Sequence, residues 1–153
     1  MSKIKIKNSK QKIADILLKI GCVNINFKNK FTLTSGKKSP VYVDCRKLIS
    51  FPKEREIVIN EMTKLIKSKY KKKVIVAGGE TAGIPYSSFI SHKLNMPMIY
   101  IRKQPKGFGK GKLIEGEYKK KSTSILIEDM ATDGGSKLHF INSLRKNTLS
   151  VKD

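Results

Sequence analysis

Three short, continuous apolar runs, each leading into a turn and then a longer segment, constrain the fold of this chain most. They occupy residues 74–77, 98–101 and 124–127. Continuous apolar strands are typical of parallel sheets, because helices bury both faces of such strands. The pattern therefore predicts an α/β fold, with a mostly parallel central sheet and helices on both faces.

Helical periodicity marks the segments before this sheet. Ser9 is placed to cap a helix that Gly21 ends, and residues 1–8 are expected to be a frayed tail. A second helix is predicted from Pro52, because proline suits the first helical turn. The apolar side chains that recur at helical spacing in this second helix are Val58, Met62, Leu65 and Ile66.

The other segments are read from their turn residues and apolar content. Residues 22–50 are predicted to hold short strands, residues 78–85 a glycine loop, and residues 103–117 a mobile Gly/Lys loop. Residues 148–151 are predicted to begin a fourth strand. We expect one domain over residues 1–153, with residues 1–50 as an N-terminal cap and residues 51–153 as a core that is incomplete at its C-terminus.

The large positive charge of the chain does not by itself identify a nucleic-acid partner. The chain has 33 basic and 12 acidic residues, a net charge of +21, but only four of the basic residues are arginine. A lysine surplus of this kind is typical of AT-rich coding. Aromatic interleaving, zinc-ligand spacing and a recognition helix are not recognisable in the sequence, so no specific nucleic-acid partner is predicted.

Membrane, secretory and disulfide-rich classes are also disfavoured by the sequence. No apolar run approaches the roughly 18–20 residues that a membrane span needs, and residues 1–10 lack the apolar core of a secretory signal. Cys22 and Cys45 fit neither a disulfide framework nor a metal-ligand spacing, and are expected to be small buried residues. We therefore predict a cytoplasmic protein without a membrane partner.

The strongest chemical motif follows the third apolar run. Glu128 and Asp129 stand at the carboxyl end of a predicted strand, where ligands bind in open α/β folds. Small, glycine-rich and hydroxylated residues follow and open a helix, so their backbone N–H groups can cradle a phosphate. The residues of this loop are Met130, Ala131, Thr132, Asp133, Gly134, Gly135 and Ser136.

An apolar strand, two acids and a Thr/Gly/Ser loop together resemble the ribose-phosphate motif of type I phosphoribosyltransferases. The resemblance implies that Glu128 and Asp129 bind the ribose of 5-phosphoribosyl 1-pyrophosphate (PRPP) and stabilise positive charge on its ring. It implies that residues 132–136 bind the 5′-phosphate, that Met130 and Ala131 also contact PRPP, and that Thr132 also contacts the acceptor base. The implied fold is the type I phosphoribosyltransferase fold with its C-terminal strands missing.

A segment rich in cations makes the resemblance specific to one family of phosphoribosyltransferases. Residues 100–109 are similar to the catalytic loop of orotate phosphoribosyltransferases, in which Arg102, Lys103 and Lys106 would neutralise the leaving pyrophosphate. Phe108 stands where many members of that family have a histidine. The resemblance implies that Lys106, Lys103, Glu128 and Asp129 are catalytic residues.

Two further segments resemble the same family in the same order. Residues 31–44 are similar to its substrate-side motif, although Thr34 replaces a common lysine, and either Lys37 or Lys38 is a candidate substitute. Residues 76–85 resemble its pyrophosphate-binding loop, which implies that Thr81 contacts PRPP.

The joint resemblance implies transfer of phosphoribose from PRPP to orotate, giving orotidine 5′-monophosphate and pyrophosphate in pyrimidine synthesis. It implies Mg²⁺ held mainly by the substrate, with no dedicated protein metal site, and a homodimer in which the catalytic loop acts in trans. Three alternatives stay open. They are a PRPP- or nucleotide-binding regulator without chemistry, a phosphoribosyltransferase for another base, and a basic nucleic-acid-binding protein, which charge alone supports.

Overall fold

A computed structural model describes residues 2–33, 35–105, 112–131, 134–147 and 149–152, with side chains described from residue 9 onward. The chain divides into two compact units, Met1–Glu61 and Met62–Asp153. In the described part of the chain, no helix is both long enough and apolar enough to cross a membrane.

The first unit opens with a helix and continues with short strands. Its elements are α1 (Ser2–Lys19), β1 (Val23–Ile25), β2 (Phe31–Thr32), β3 (Lys38–Ser39), β4 (Val41–Val43) and a 3₁₀ helix (Cys45–Ser50). β1 pairs with β4 and β2 pairs with β3, both antiparallel. The predicted short strands are therefore confirmed, and both cysteines are buried as expected.

The predicted start of the first helix is wrong. α1 begins at Ser2, so residues 2–8 are helical and Ser9 lies inside the helix. The segment contains no glycine or proline that would stop the helix from extending toward the N-terminus. The Ser9 hydroxyl donates a hydrogen bond to Glu61 Oε2 at 2.7 Å instead of capping a helix end.

The next helix, α2 (Pro52–Lys69), begins with Pro52 as predicted. Its buried side differs slightly from the predicted apolar face. Ile59 is buried, whereas Leu65 is 58% exposed. Leu65 falls beyond the edge of the stripe formed by Val58, Ile59 and Ile66, because neighbouring helical positions differ by about 100°.

The second unit is an α/β sheet. Its elements are β5 (Ile75–Gly79), α3 (Gly83–Leu94), β6 (Met98–Ile101), β7 (Ile114–Glu115), β8 (Thr123–Ile127), α4 (Gly135–Lys146) and β9 (Ser150–Lys152). The strand order is β7-β6-β5-β8-β9, and only β7 is antiparallel to its neighbour. The predicted mostly parallel sheet, including the strand near residue 150, is confirmed.

The two helices of this unit cover opposite faces of the sheet. A side chain on Gly78 would meet Ser87 and the Gly83 carbonyl of α3. On the other face, Ala77 packs in one buried cluster with Phe140 and Leu144 of α4. Successive residues of a strand point to opposite faces, so α3 and α4 lie on either side of β5.

The predicted glycine loop, residues 78–85, is shorter at both ends in the structure. α3 already begins at Gly83, with Pro85 in its first turn, where proline is tolerated. Gly78 and Gly79 belong to β5 rather than to the following loop, since both are buried and pair with neighbouring strands. β7 lies within the segment predicted to be a mobile loop, where it pairs with the edge of β6. Apolar content is too low in both places to mark a strand.

The strand order creates a crevice at the centre of the sheet. From β5 the chain passes through α3 to β6 on one side, and from β8 it passes through α4 to β9 on the other side. Adjacent strands with diverging connections form a topological switch point, and ligands of open α/β folds bind at the carboxyl ends of such strands. The carboxyl ends of β5 and β8 therefore define the candidate site.

Candidate active site

Three strand ends place the predicted motifs at one edge of the sheet. Glu80, Arg102 and Glu128 directly follow β5, β6 and β8. These strands pair in parallel register, so their last residues lie side by side. The Glu80 N–H also donates a hydrogen bond to the carbonyl of Ile101 at 2.8 Å. The glycine loop, the base of the cationic loop and the acid pair are thus brought together.

The two acids have different surroundings. Asp129 is half-buried, and its Oδ1 accepts a hydrogen bond from the Met130 N–H at 2.9 Å. Glu128 is directed under the end of β5, and its side chain is 14% exposed. Asp129 is therefore held by the backbone that follows it, whereas the Glu128 side chain is largely buried.

Two glycines make room for the Glu128 carboxylate. A Cβ on Gly83 would lie 2.7 Å from Glu128 Oε1, and a Cβ on Gly79 would approach the same oxygen still more closely. Real Cβ atoms do not approach oxygen at such distances, so a larger residue at either position would displace the Glu128 carboxylate. The predicted glycine loop thus has a packing role, since it admits the first acid of the motif.

Burial makes the charge of Glu128 costly. It raises the pKa of this carboxyl above its ordinary value, and the neighbouring Asp129 charge adds to that effect. The hydrogen bond and charge of Lys137 oppose burial, as does the weaker influence of the Gly79 N–H. Lys137 Nζ lies 3.1 Å from Oε2. Oε1 accepts no hydrogen bond of ordinary geometry from the described residues.

The base of the cationic loop is fixed to the glycine loop. The Lys103 backbone N–H donates to Glu80 Oε2 at 2.6 Å, and the Arg102 N–H donates to the Leu113 carbonyl at 2.9 Å. Arg102 is half-buried, and the Lys103 side chain is exposed. The arrangement anchors Arg102 and Lys103 at the sheet edge. Lys106 lies outside the described residues.

The predicted phosphate loop joins the end of β8 to α4. Gly134 immediately precedes the helix, and Gly135 and Ser136 form its exposed first residues. A helix N-terminus with exposed backbone N–H groups favours anions. Met130 and Ala131 lie just beyond the acids, whereas Thr132 and Asp133 lie outside the described residues.

Thr81 is exposed directly after Glu80, and the peptide bond between these two residues is cis. Its position next to the end of β5 is compatible with the predicted contact to PRPP. The roles assigned to this threonine and to the other site residues stay predictions.

Lys137 and the role of Glu80 were not predicted from the sequence. Lys137 stands in a lysine-rich chain without a distinguishing pattern, and Glu80 belongs to no charge pair visible in the sequence. A usable signal was the position of Lys137 in the first turn of a predicted helix. A cation is unfavourable there unless an anion lies nearby.

No cluster of protein metal ligands is found among the described residues of this edge. Within the described ranges, no three His, Cys, Asp or Glu side chains converge as metal ligands. Mg²⁺ commonly keeps substrate phosphate oxygens among its ligands, so the residues present are compatible with an ion that arrives with PRPP.

A lysine groove lies elsewhere on the second unit. This cavity of about 1160 Å³ is found near the amino ends of the strands, and none of the motif residues lines it. Its lysines are Lys69, Lys71, Lys72, Lys73, Lys119 and Lys152. The groove is therefore separate from the crevice at the carboxyl ends of β5 and β8.

Comparison with known proteins agrees with the motifs. No family model matches the chain. The chain is 45% identical over 135 residues to the orotate phosphoribosyltransferase of Ruegeria sp. (strain TM1040), an alignment covering 87% of this chain and 60% of the relative. The chain thus spans about 60% of the length of this curated relative.

Two solved structures extend the comparison. The orotate phosphoribosyltransferase of Aeropyrum pernix superposes with a TM-score of 0.75 and 27% identity, covering 91% of this chain and 76% of that one. Leishmania donovani UMP synthase matches with a TM-score of 0.76 and 36% identity, covering 92% of this chain and 29% of that one. The chain therefore has the type I phosphoribosyltransferase fold and is homologous to orotate phosphoribosyltransferases along most of its length.

Proposed function

We propose that this chain carries the PRPP-binding and catalytic part of an orotate phosphoribosyltransferase. The observation that supports the proposal most is the placement of the acid pair beside the N-terminus of α4, at the switch point of the sheet. The homology to orotate phosphoribosyltransferases favours orotate as the acceptor over another base. The reaction would give orotidine 5′-monophosphate in pyrimidine synthesis.

The proposed step exchanges two bonds at C1 of the ribose. The C1–O bond to pyrophosphate breaks and its electron pair leaves with pyrophosphate. N1 of orotate forms the new bond to C1 and loses its proton to solvent. Positive charge develops on the ribose ring, and negative charge develops on the leaving group.

The proposed site residues carry charges opposite to those that develop on the ribose ring and on the leaving group. Asp129 and Glu128 would stabilise the ribose ring, and Arg102, Lys103 and Lys106 would stabilise the pyrophosphate. The loop from Met130 to Ser136, with Thr132, Asp133, Gly134 and Gly135, would bind the 5′-phosphate. Thr81 would contact the pyrophosphate, and Thr132 would also face orotate.

The substrate would enter as its Mg²⁺ complex, with the ion bound mainly by the oxygens of PRPP. We further propose a homodimer in which Lys106 acts in the neighbouring site, and a cytoplasmic location. These three points depend on the family resemblance and on the cysteine pattern, and each can be tested separately.

Pyrophosphate release from PRPP and Mg²⁺ tests the proposal, with orotate, uracil and adenine supplied in turn. Orotate-dependent release with formation of orotidine 5′-monophosphate is expected. Release with adenine only would indicate a phosphoribosyltransferase for another base. PRPP binding without release would favour the regulator, and neither binding nor release would contradict the proposal.

A further inference from the structure

Among the described residues, one cation compensates the negative charge of Glu128. Lys137 Nζ lies 3.1 Å from Glu128 Oε2, and the two side chains are 23% and 14% exposed. Among the described residues, the charged groups that act on Glu128 are Lys137 on α4 and the adjacent Asp129. β5 and α3 contribute Gly79 and Gly83, which carry no titratable side chain.

Lys137 occupies an unfavourable place for a lysine. It is the third residue of α4, whose first turn contains no acidic residue. A positive charge in the first helical turn is opposed by the helix dipole. The same ammonium group lies 3.2 Å from the Ser136 hydroxyl oxygen, to which it donates. The Glu128 carboxylate is the anion that offsets this position.

We propose that Lys137 is a positioning residue that holds the Glu128 carboxylate in place, as an anion, beneath the phosphoribosyl group. The proposal rests on the proposed function and adds a residue that the motif did not assign. A protonated Glu128 would give little stabilisation to positive charge on the ribose ring. Lys137 thus acts through Glu128 rather than on the substrate.

The sign of the pH effect follows from the surroundings of Glu128. Lys137 supplies the two largest influences that lower the pKa of this buried carboxyl. Removal of its charge therefore moves the Glu128 titration to higher pH. Any activity that needs ionised Glu128 is then lost at a higher pH than in the original chain, and it recovers as pH rises.

Lys137→Met and Lys137→Arg are the informative variants, with Lys146→Met in the exposed last turn of the same helix as the matched control. At the acidic end of the pH profile, kcat/KM for PRPP should be lower in Lys137→Met than in the original chain, because loss of the Lys137 charge moves the Glu128 titration to higher pH. The deficit should shrink as the pH rises. Lys137→Arg should restore most of the loss, and Lys146→Met should behave like the original chain.

A second readout separates this inference from the proposed function. The carboxyl carbon of Glu128 is followed by ¹³C NMR titration without substrate, and Glu128→Gln assigns the signal. Lys137→Met should shift that titration to higher pH. The shift is expected even if the original chain shows no orotate-dependent turnover, an outcome that would reject only the proposed function.

Two results would overturn the proposal. One is an unchanged Glu128 titration in a folded Lys137→Met variant. The other is an equal loss of kcat/KM at all pH values, which would indicate a structural role. Urea unfolding of each variant establishes that it is folded before either comparison is made.

Discussion

Replacement of Gly79 by alanine should destabilise the protein more than the addition of a single methyl group suggests. The new Cβ would lie 2.6 Å from Phe140 Cδ2, and closer still to Cε2 of the same ring and to Glu128 Oε1. Phe140 is 1% exposed, so the ring has no free space into which to move. Both neighbours must therefore shift within a close-packed core.

The expected cost follows from measured overpacking of cores. Added methyl groups in well-packed sites cost about 1–3 kcal/mol, and the buried Phe140 ring places Gly79→Ala near the upper end, at about 3 kcal/mol. For a chain of this length, about 2–4 °C is lost per kcal/mol, so the melting temperature should fall by about 6–12 °C. Urea unfolding should show a lower midpoint with an unchanged slope.

Gly78→Ala is the matched comparison, because it changes the next residue on the opposite face. Its Cβ would meet the Gly83 carbonyl and the Ser87 hydroxyl at 2.8 Å, a milder conflict. Phe140→Leu should offset part of the Gly79→Ala loss, with a coupling of at least about 0.5 kcal/mol. Two results together would refute the packing argument. The first is an equal loss of unfolding free energy in the two glycine variants, and the second is a Gly79→Ala/Phe140→Leu double variant whose loss equals the sum of the single losses.

Three further predictions concern charge. Asp129→Asn should lower turnover about 100-fold with an unchanged unfolding midpoint, because a charge aimed at the transition state is removed; a loss of stability alone would contradict its proposed ribose contact. Lys106→Ala should lower kcat strongly with little change in unfolding, and unchanged single-turnover rates would remove this lysine from the mechanism. Oligonucleotide binding, measured by anisotropy, should be independent of base sequence and should fall steeply between about 50 and 200 mM salt. Salt-resistant binding to one sequence would instead identify a specific nucleic-acid partner.

Much of the fold could be predicted because the local pattern of apolar residues indicates which segments are buried. The parallel strands consist of short apolar runs, and the helices between them carry periodic apolar residues. Gly78 and Gly79 were not predicted as strand residues, because their pairing depends on neighbouring strands that are distant in the sequence. The two-residue strand β7 was missed for the same reason.

Part of the candidate site could be predicted because its acid motif is local in the sequence. Glu128 and Asp129 are adjacent in sequence and follow an apolar strand, so their motif is visible locally. The pairing of Lys137 with Glu128 depends on how α4 begins over the end of β8, and the chain offers many similar lysines. Glu80 likewise gains its role only when β5 and β6 become neighbours.

The most direct measurement is a titration of the ¹⁵N-labelled chain with PRPP and Mg²⁺, followed by NMR at moderate salt. Binding at the switch point predicts saturable shifts of the amide signals from Glu80, Lys103, Asp129 and Ser136. The Asp129→Asn variant should show weaker binding at the same positions. Shifts confined to the lysine groove, or none at these four residues, would contradict a phosphoribosyl site at the carboxyl ends of β5 and β8.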